Sequence, residues 1–258
     1  MSCSSPALGG ALPALVYLPA GYANTTERFR VIYFLHGLPA GPSSYKPNTF
    51  VANALVAGGQ RAIVVTPQGA RSPDSDREYL DWDASEDWPA AISHDLPNCI
   101  DKRFRTIRTR FGRALVGVSA GGFGAFNIGL RNLSTFGAVE SWSGYFAATD
   151  PTGEHILRLG SAKADAGAQV PHGSSLKHEL TTSPVYIAFY VGAADARFLN
   201  MNKQFDAALT RSGVPHVFQT YPGGHSSALW TAQAPAWLGA ALEALWTEAK
   251  AAAAAAKH

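Results

Sequence analysis

The chain has 258 residues, 47% hydrophobic and 16% charged, which excludes a disordered polymer and fits one large globular domain or two small ones. Its 21 Lys and Arg against 19 Asp and Glu leave a formal charge of +2, too weak a field to gather nucleic acid or an anionic membrane. Cys3 and Cys99 are the two cysteines, so at most one disulfide can form and a cysteine-stapled scaffold or Cys-rich zinc module is excluded.

At the start, Met1 is followed by Ser2, Cys3, Ser4 and Ser5 rather than by a basic and then an apolar region. No ordinary signal peptide is read there, and a soluble, cytosolic chain is the plain expectation. A cysteine flanked by small residues also fits the processing site of an exported precursor, which leaves the compartment and the pairing of the two cysteines open. No stretch reaches about 18 apolar residues, so no membrane-spanning helix is expected.

Short β-rich apolar runs then alternate with segments of helical period. In chain order they predict strands at 14–18 and 31–35, a helix at 50–57, a strand at 62–66 and a helix around 86–100, its limits blurred by Pro89 and Pro97. A strand at 114–118, a helix at 122–130 and a strand at 138–142 follow; beyond them come a strand at 185–191, a helix at 202–212, a strand at 217–221 and a helix at 232–248. Strand followed by helix, repeated without an internal repeat or a dividing linker, predicts a single α/β domain with a mostly parallel sheet covered on both faces. The stretch 149–184 is long for a connection and reads as a cap or lid with a weak helix near 154–160. Residues 251–256, all alanine, extend the last helix or form a linker remnant.

Between a strand and a helix lies Gly117-Val118-Ser119-Ala120-Gly121. A serine nucleophile needs a sharp turn that lifts its hydroxyl above the sheet edge, and flanking glycines remove the Cβ atoms that would collide there. Such a hydroxyl is a poor nucleophile by itself and requires a histidine base oriented by a carboxylate. In this architecture the acid and then the base follow the serine along the chain. His225 has that address, after the strand at 217–221 and the turn Pro222-Gly223-Gly224. Asp195 follows the strand at 185–191 by a short turn and is the favoured acid, with Asp150 as the alternative. Backbone N–H groups of Ala120 and Leu38 would form the oxyanion hole. Tyr45, Trp142 and Trp230 are the candidate substrate-lining aromatics, Trp142 because its strand should lie beside that of Ser119. His36, ahead of Ser119, reads as a loop-shaping residue. No His pair shows metal-ligand spacing with a carboxylate, so neither metal nor other cofactor is expected. The basic run Lys102-Arg103-Phe104-Arg105 lacks an aromatic platform and reads as a solvated helix end, not a nucleic-acid site.

Val16-Tyr17-Leu18-Pro19-Ala20-Gly21-Tyr22, then Tyr33-Phe34-Leu35-His36-Gly37, the elbow at Ser119, and Gly223-Gly224-His225-Ser226 with Trp230 together resemble the esterase D family. That family includes S-formylglutathione hydrolase, feruloyl and other carboxylesterases, and mycobacterial mycolyltransferases. The resemblance implies an α/β-hydrolase fold, a cofactor-independent reaction on small-molecule esters, a triad of Ser119, Asp195 and His225, and oxyanion amides at Leu38 and Ala120. The expected substrates are short acyl or aryl esters, with acyl transfer to a sugar or other alcohol as the alternative; the sequence says little of oligomeric state. Ala120 stands where many relatives carry Met, some relatives use Glu as the acid, and 149–184 has no match.

Overall fold

The computed structural model describes residues 1–73, 78–148, 156–159 and 161–255. Eight strands form one sheet in the order β1-β2-β4-β3-β5-β6-β7-β8. They are β1 (Ser2–Ser5), β2 (Gly10–Tyr17), β3 (Arg30–Leu35), β4 (Ala62–Pro67), β5 (Arg113–Val118), β6 (Ala138–Trp142), β7 (Tyr186–Gly192) and β8 (Val217–Tyr221). From β4 onward neighbouring strands run parallel, whereas β2 pairs antiparallel with both β1 and β4. The helices are α1 (Thr49–Ala57), α2 (Trp88–Ala90), α3 (Leu96–Arg103), α4 (Ala120–Gly129), α5 (Ala162–Gly167), α6 (Ser174–Thr182), α7 (Leu199–Arg211) and α8 (Ser227–Ala255).

The central strands read as unbroken apolar runs because both faces are buried. In β3, Val31, Tyr33 and Leu35 point into one core with Phe123, Phe126 and Phe205, while Ile32 and Phe34 point into the other with Val51, Trp237 and Leu238. The first core lies under α4 and α7, the second under α1 and α8. A parallel sheet packed this way brings the C-terminal ends of β3, β5, β6, β7 and β8 to one edge, where connecting loops can meet.

The seven predicted strands and five predicted helices are all present. A wide π-turn at Ala91–Asp95 links α2 to α3, so the helical path continues past Pro97, whose ring would crowd the carbonyl four residues back in a regular α-helix. The polar strand β1 was not expected. It pairs with β2 and carries Cys3, which is disulfide-bonded to Cys99 on α3 with Cα atoms 5.8 Å apart. Of the expected weak helix at 154–160, residues 154, 155 and 160 lie outside the described residues, and 156–159 are not helical. Further along, 149–184 contains α5 and α6; Ala168 and Val170, which follow α5, and Leu176 and Leu180 of α6 enter the first core. Asn127 of α4 and Arg131, just past its end, fasten it, the Asn127 side-chain amide donating to Gly167 O at 2.8 Å and the Arg131 guanidinium to Gln169 O at 2.8 Å. The alanines from 251 to 255 continue α8.

Candidate active site

Val118 ends β5 and Ala120 begins α4, which leaves Ser119 alone at the corner with φ 56°. A non-glycine residue held at positive φ costs on the order of 1–3 kcal/mol and persists only where its surroundings impose it. Here the Ser119 N–H donates to Trp142 O at 2.8 Å, and the Ser119 carbonyl accepts from Phe123 N–H at 3.1 Å. The flanking glycines are required by close approach: a Cβ on Gly117 would stand 2.1 Å from Gly121 O, and one on Gly121 2.1 Å from Leu35 O. Gly37 serves the same corner. Its role is contact rather than a left-handed turn, since a Cβ there would meet Ser119 Cβ at 2.9 Å.

Asp195 lies just past the end of β7 with its side chain buried, and its Oδ1 accepts the N–H groups of Arg197 at 3.2 Å and Phe198 at 3.1 Å. The other oxygen, Oδ2, faces His225 Nδ1 at 2.9 Å, and His225 Nε2 faces Ser119 Oγ at 3.1 Å. An ionised carboxylate can only accept, so Nδ1 carries the proton and the lone pair of Nε2 is directed at the serine hydroxyl. The His225 side chain is 26% exposed, which leaves the relay reachable from solvent. Asp150 lies outside the described residues.

Among the described residues, the N–H groups of Leu38 and Ala120 donate to no other protein group. Ala120 opens α4, where helix-end N–H groups have no partner within the helix and favour negative charge. Leu38 follows Gly37, the residue lying against Ser119. Tyr45 is buried in the loop between β3 and α1. Trp230 stands beside the imidazole, the two ring centroids 5.1 Å apart.

Trp142 does not line the site. Its side chain is fully buried in the second core against Phe34 and Trp237, and its indole N–H donates to Glu140 at 2.9 Å. The strand is indeed next to that of Ser119, but alternation along β6 turns the indole toward α8 and leaves only the Trp142 carbonyl at the corner. His36 Nδ1 faces Gly37 O at 3.0 Å, and burial lowers the pKa of the ring, keeping it neutral in the loop that carries Leu38. Two residues beside the relay went unnoticed in the sequence. Phe198 packs on His225 with centroids 5.2 Å apart, and Ser143 accepts the Trp230 indole N–H at 3.0 Å. Only the Ser-Gly pair directly after a strand could have marked Ser143. Among the described residues no group of three or more His, Cys, Asp or Glu is placed to hold a metal, and no helix is long and apolar enough to cross a membrane.

The sequence pattern of the putative esterase family matches residues 5–240. The chain belongs to the putative esterase family. Among curated members similar to it, the esterase Rv1288 of Mycobacterium tuberculosis is 24% identical over 235 residues, covering 81% of this chain and 51% of that protein. An uncharacterised Corynebacterium glutamicum protein is 25% identical over 229 residues, covering 84% of this chain and 54% of its own. The chain thus spans about half the length of these curated relatives. In solved structures the same architecture recurs in S-formylglutathione hydrolase from Agrobacterium tumefaciens, with a TM-score of 0.75 at 20% identity over 95% of this chain and 94% of that one. A ferulic acid esterase gives a TM-score of 0.74 at 24% identity, covering 95% of this chain and 97% of that one. At such identities these structures establish a shared α/β-hydrolase fold.

Proposed function

We propose that the chain is a serine carboxylesterase acting on short-chain acyl or aryl esters through an acyl-enzyme. The observation that carries this reading is the continuous hydrogen-bonded line from Asp195 Oδ2 through His225 to Ser119 Oγ, with steps of 2.9 and 3.1 Å. His225 Nε2 takes the hydroxyl proton as Ser119 Oγ attacks the ester carbonyl. The negative charge that develops on the carbonyl oxygen is met by the N–H groups of Leu38 and Ala120, oriented in advance by the loop after β3 and the start of α4. His225 then gives its proton to the departing alcohol, and Asp195 holds the ring in the tautomer this exchange needs. Water, activated by the same imidazole, attacks the acyl carbonyl, and Ser119 leaves with its proton restored.

The test is covalent labelling with a fluorophosphonate, followed by hydrolysis of p-nitrophenyl esters of rising chain length and of feruloyl and acetyl-sugar esters. Modification at Ser119 and fastest turnover on the shorter acyl or aryl esters are expected; intact folded protein that stays unmodified refutes the reading. Product partition in the presence of a sugar separates hydrolysis from acyl transfer, and predominant transfer would make the acceptor an alcohol instead of water.

A further inference from the structure

His225 arrives on a loop that follows an edge strand, and Gly223 in that loop has φ 120°, a conformation open to glycine. Two aromatic rings confine its imidazole. Phe198 stands at 5.2 Å and is tied to the acid, because its own N–H donates to Asp195 Oδ1. Trp230 stands at 5.1 Å with its plane at 88° to the imidazole, and its indole N–H donates to Ser143 Oγ at 3.0 Å. Ser143 is fully buried with φ 49°, and its N–H donates to Tyr190 O at 2.6 Å. A glycine would take that φ freely. What serine adds at this position is the oxygen that receives the indole. The residue before it, Trp142, supplies the carbonyl that accepts the Ser119 N–H. Two consecutive residues at the end of β6 therefore brace the nucleophile directly and the base through one ring.

We propose that Ser143 is a positioning residue: its hydrogen bond from Trp230 Nε1 fixes the indole as a wall that keeps the His225 imidazole aimed at Ser119 Oγ. The proposal rests on the esterase reading above. A base misplaced by about 1 Å can cost on the order of a hundredfold in rate, so a hydrogen bond that limits tilting of the ring acts on turnover rather than on ester binding.

The experiment compares Ser143→Gly, which retains the backbone conformation without the oxygen, with Trp230→Phe, which keeps a ring without the donor, and with the double variant. Turnover of p-nitrophenyl acetate is expressed per site titrated with fluorophosphonate, so that protein lost to misfolding does not count. We expect kcat to fall about tenfold in each single variant with KM within about twofold, and the double variant to be no slower than the singles, because all three lack the same bond. A contact that serves only stability would lower Tm and the titrated fraction while leaving kcat per site unchanged. Single variants within about twofold of the unaltered enzyme in kcat, or losses that multiply to about a hundredfold in the double variant, overturn the proposal. Unaltered protein that takes up no fluorophosphonate overturns the esterase reading and this proposal with it.

Discussion

A Cβ on Gly37 would stand 2.9 Å from Ser119 Cβ and 3.1 Å from Val118 O. Val118 O is backbone and Ser119 Cβ is fixed to it, so the corner at Ser119 must shift to admit even one methyl group. Gly37→Ala is expected to lower ester turnover by roughly 10–100-fold, because it displaces both the nucleophile and the Leu38 N–H that follows. Steady-state kinetics beside a melting curve checks this, and turnover equal to that of the unaltered chain would show that the loop gives way without consequence.

Asp195 accepts two backbone N–H groups on one oxygen and faces the imidazole with the other. Asp195→Asn can place its amide N–H₂ toward Nδ1, which forces the imidazole into the opposite tautomer and removes the lone pair from Nε2. Turnover should drop by about three to four orders of magnitude with little change in fold. Asp150→Asn should have a mild effect, and the reverse ranking in a kcat comparison would transfer the acid role to Asp150.

Glu140 lies fully buried beneath α8, accepting one hydrogen bond from the Trp142 indole, and burial drives its carboxyl up to about 8 from its ordinary 4.5. Between those values the folded protein keeps a proton that the unfolded chain has lost. The contribution to stability is therefore whole below pH 4.5 and is lost as pH rises through about 8. Glu140→Gln, neutral throughout, should match the unaltered chain near pH 4 and exceed its melting temperature by about 5 °C near pH 9. Parallel melting temperatures across that range would show that Glu140 does not carry the pH dependence.

The Cys3–Cys99 bond spans a sequence separation of 96 residues and joins β1 to α3, at the edge of the sheet opposite β8. Constraint of so large a loop in the unfolded chain is worth about 2–4 kcal/mol. Cys99→Ser should lower the melting temperature by roughly 5–15 °C, with turnover at 25 °C unchanged. Loss of turnover in the still-folded variant would instead tie β1 to the geometry of the distant relay.

Much of the sheet was legible because β3, β4, β5 and β7 are covered on both faces and so appear as apolar runs bounded by turn residues. The relay was legible for a related reason: Ser119 sits between glycines, and Asp195 and His225 each follow a strand. β1 was not, since Ser2, Ser4 and Ser5 carry no apolar alternation and only pairing with β2 makes a strand of them. In α5 and α6 the helical period is too short and too sparsely apolar to stand out, and Leu176 and Leu180 of α6 gain meaning only as part of the first core. Adjacency of its strand to that of Ser119 does not say which face Trp142 takes, and its same-side neighbour Glu140 is a carboxylate no pattern would place in a core. Nothing in the letters marks the left-handed φ of Ser143, which arises from what surrounds the end of β6.

His225 depends on β8, an outermost strand that pairs with β7 on one side and is exposed at Gln219 and Thr220. Peripheral strands open at lower free-energy cost than central ones. On heating, this margin should peel away while the interior is still intact, so ester turnover disappears at a lower temperature than the circular-dichroism transition. Coincident midpoints would mean that the rim and the interior melt as one cooperative unit.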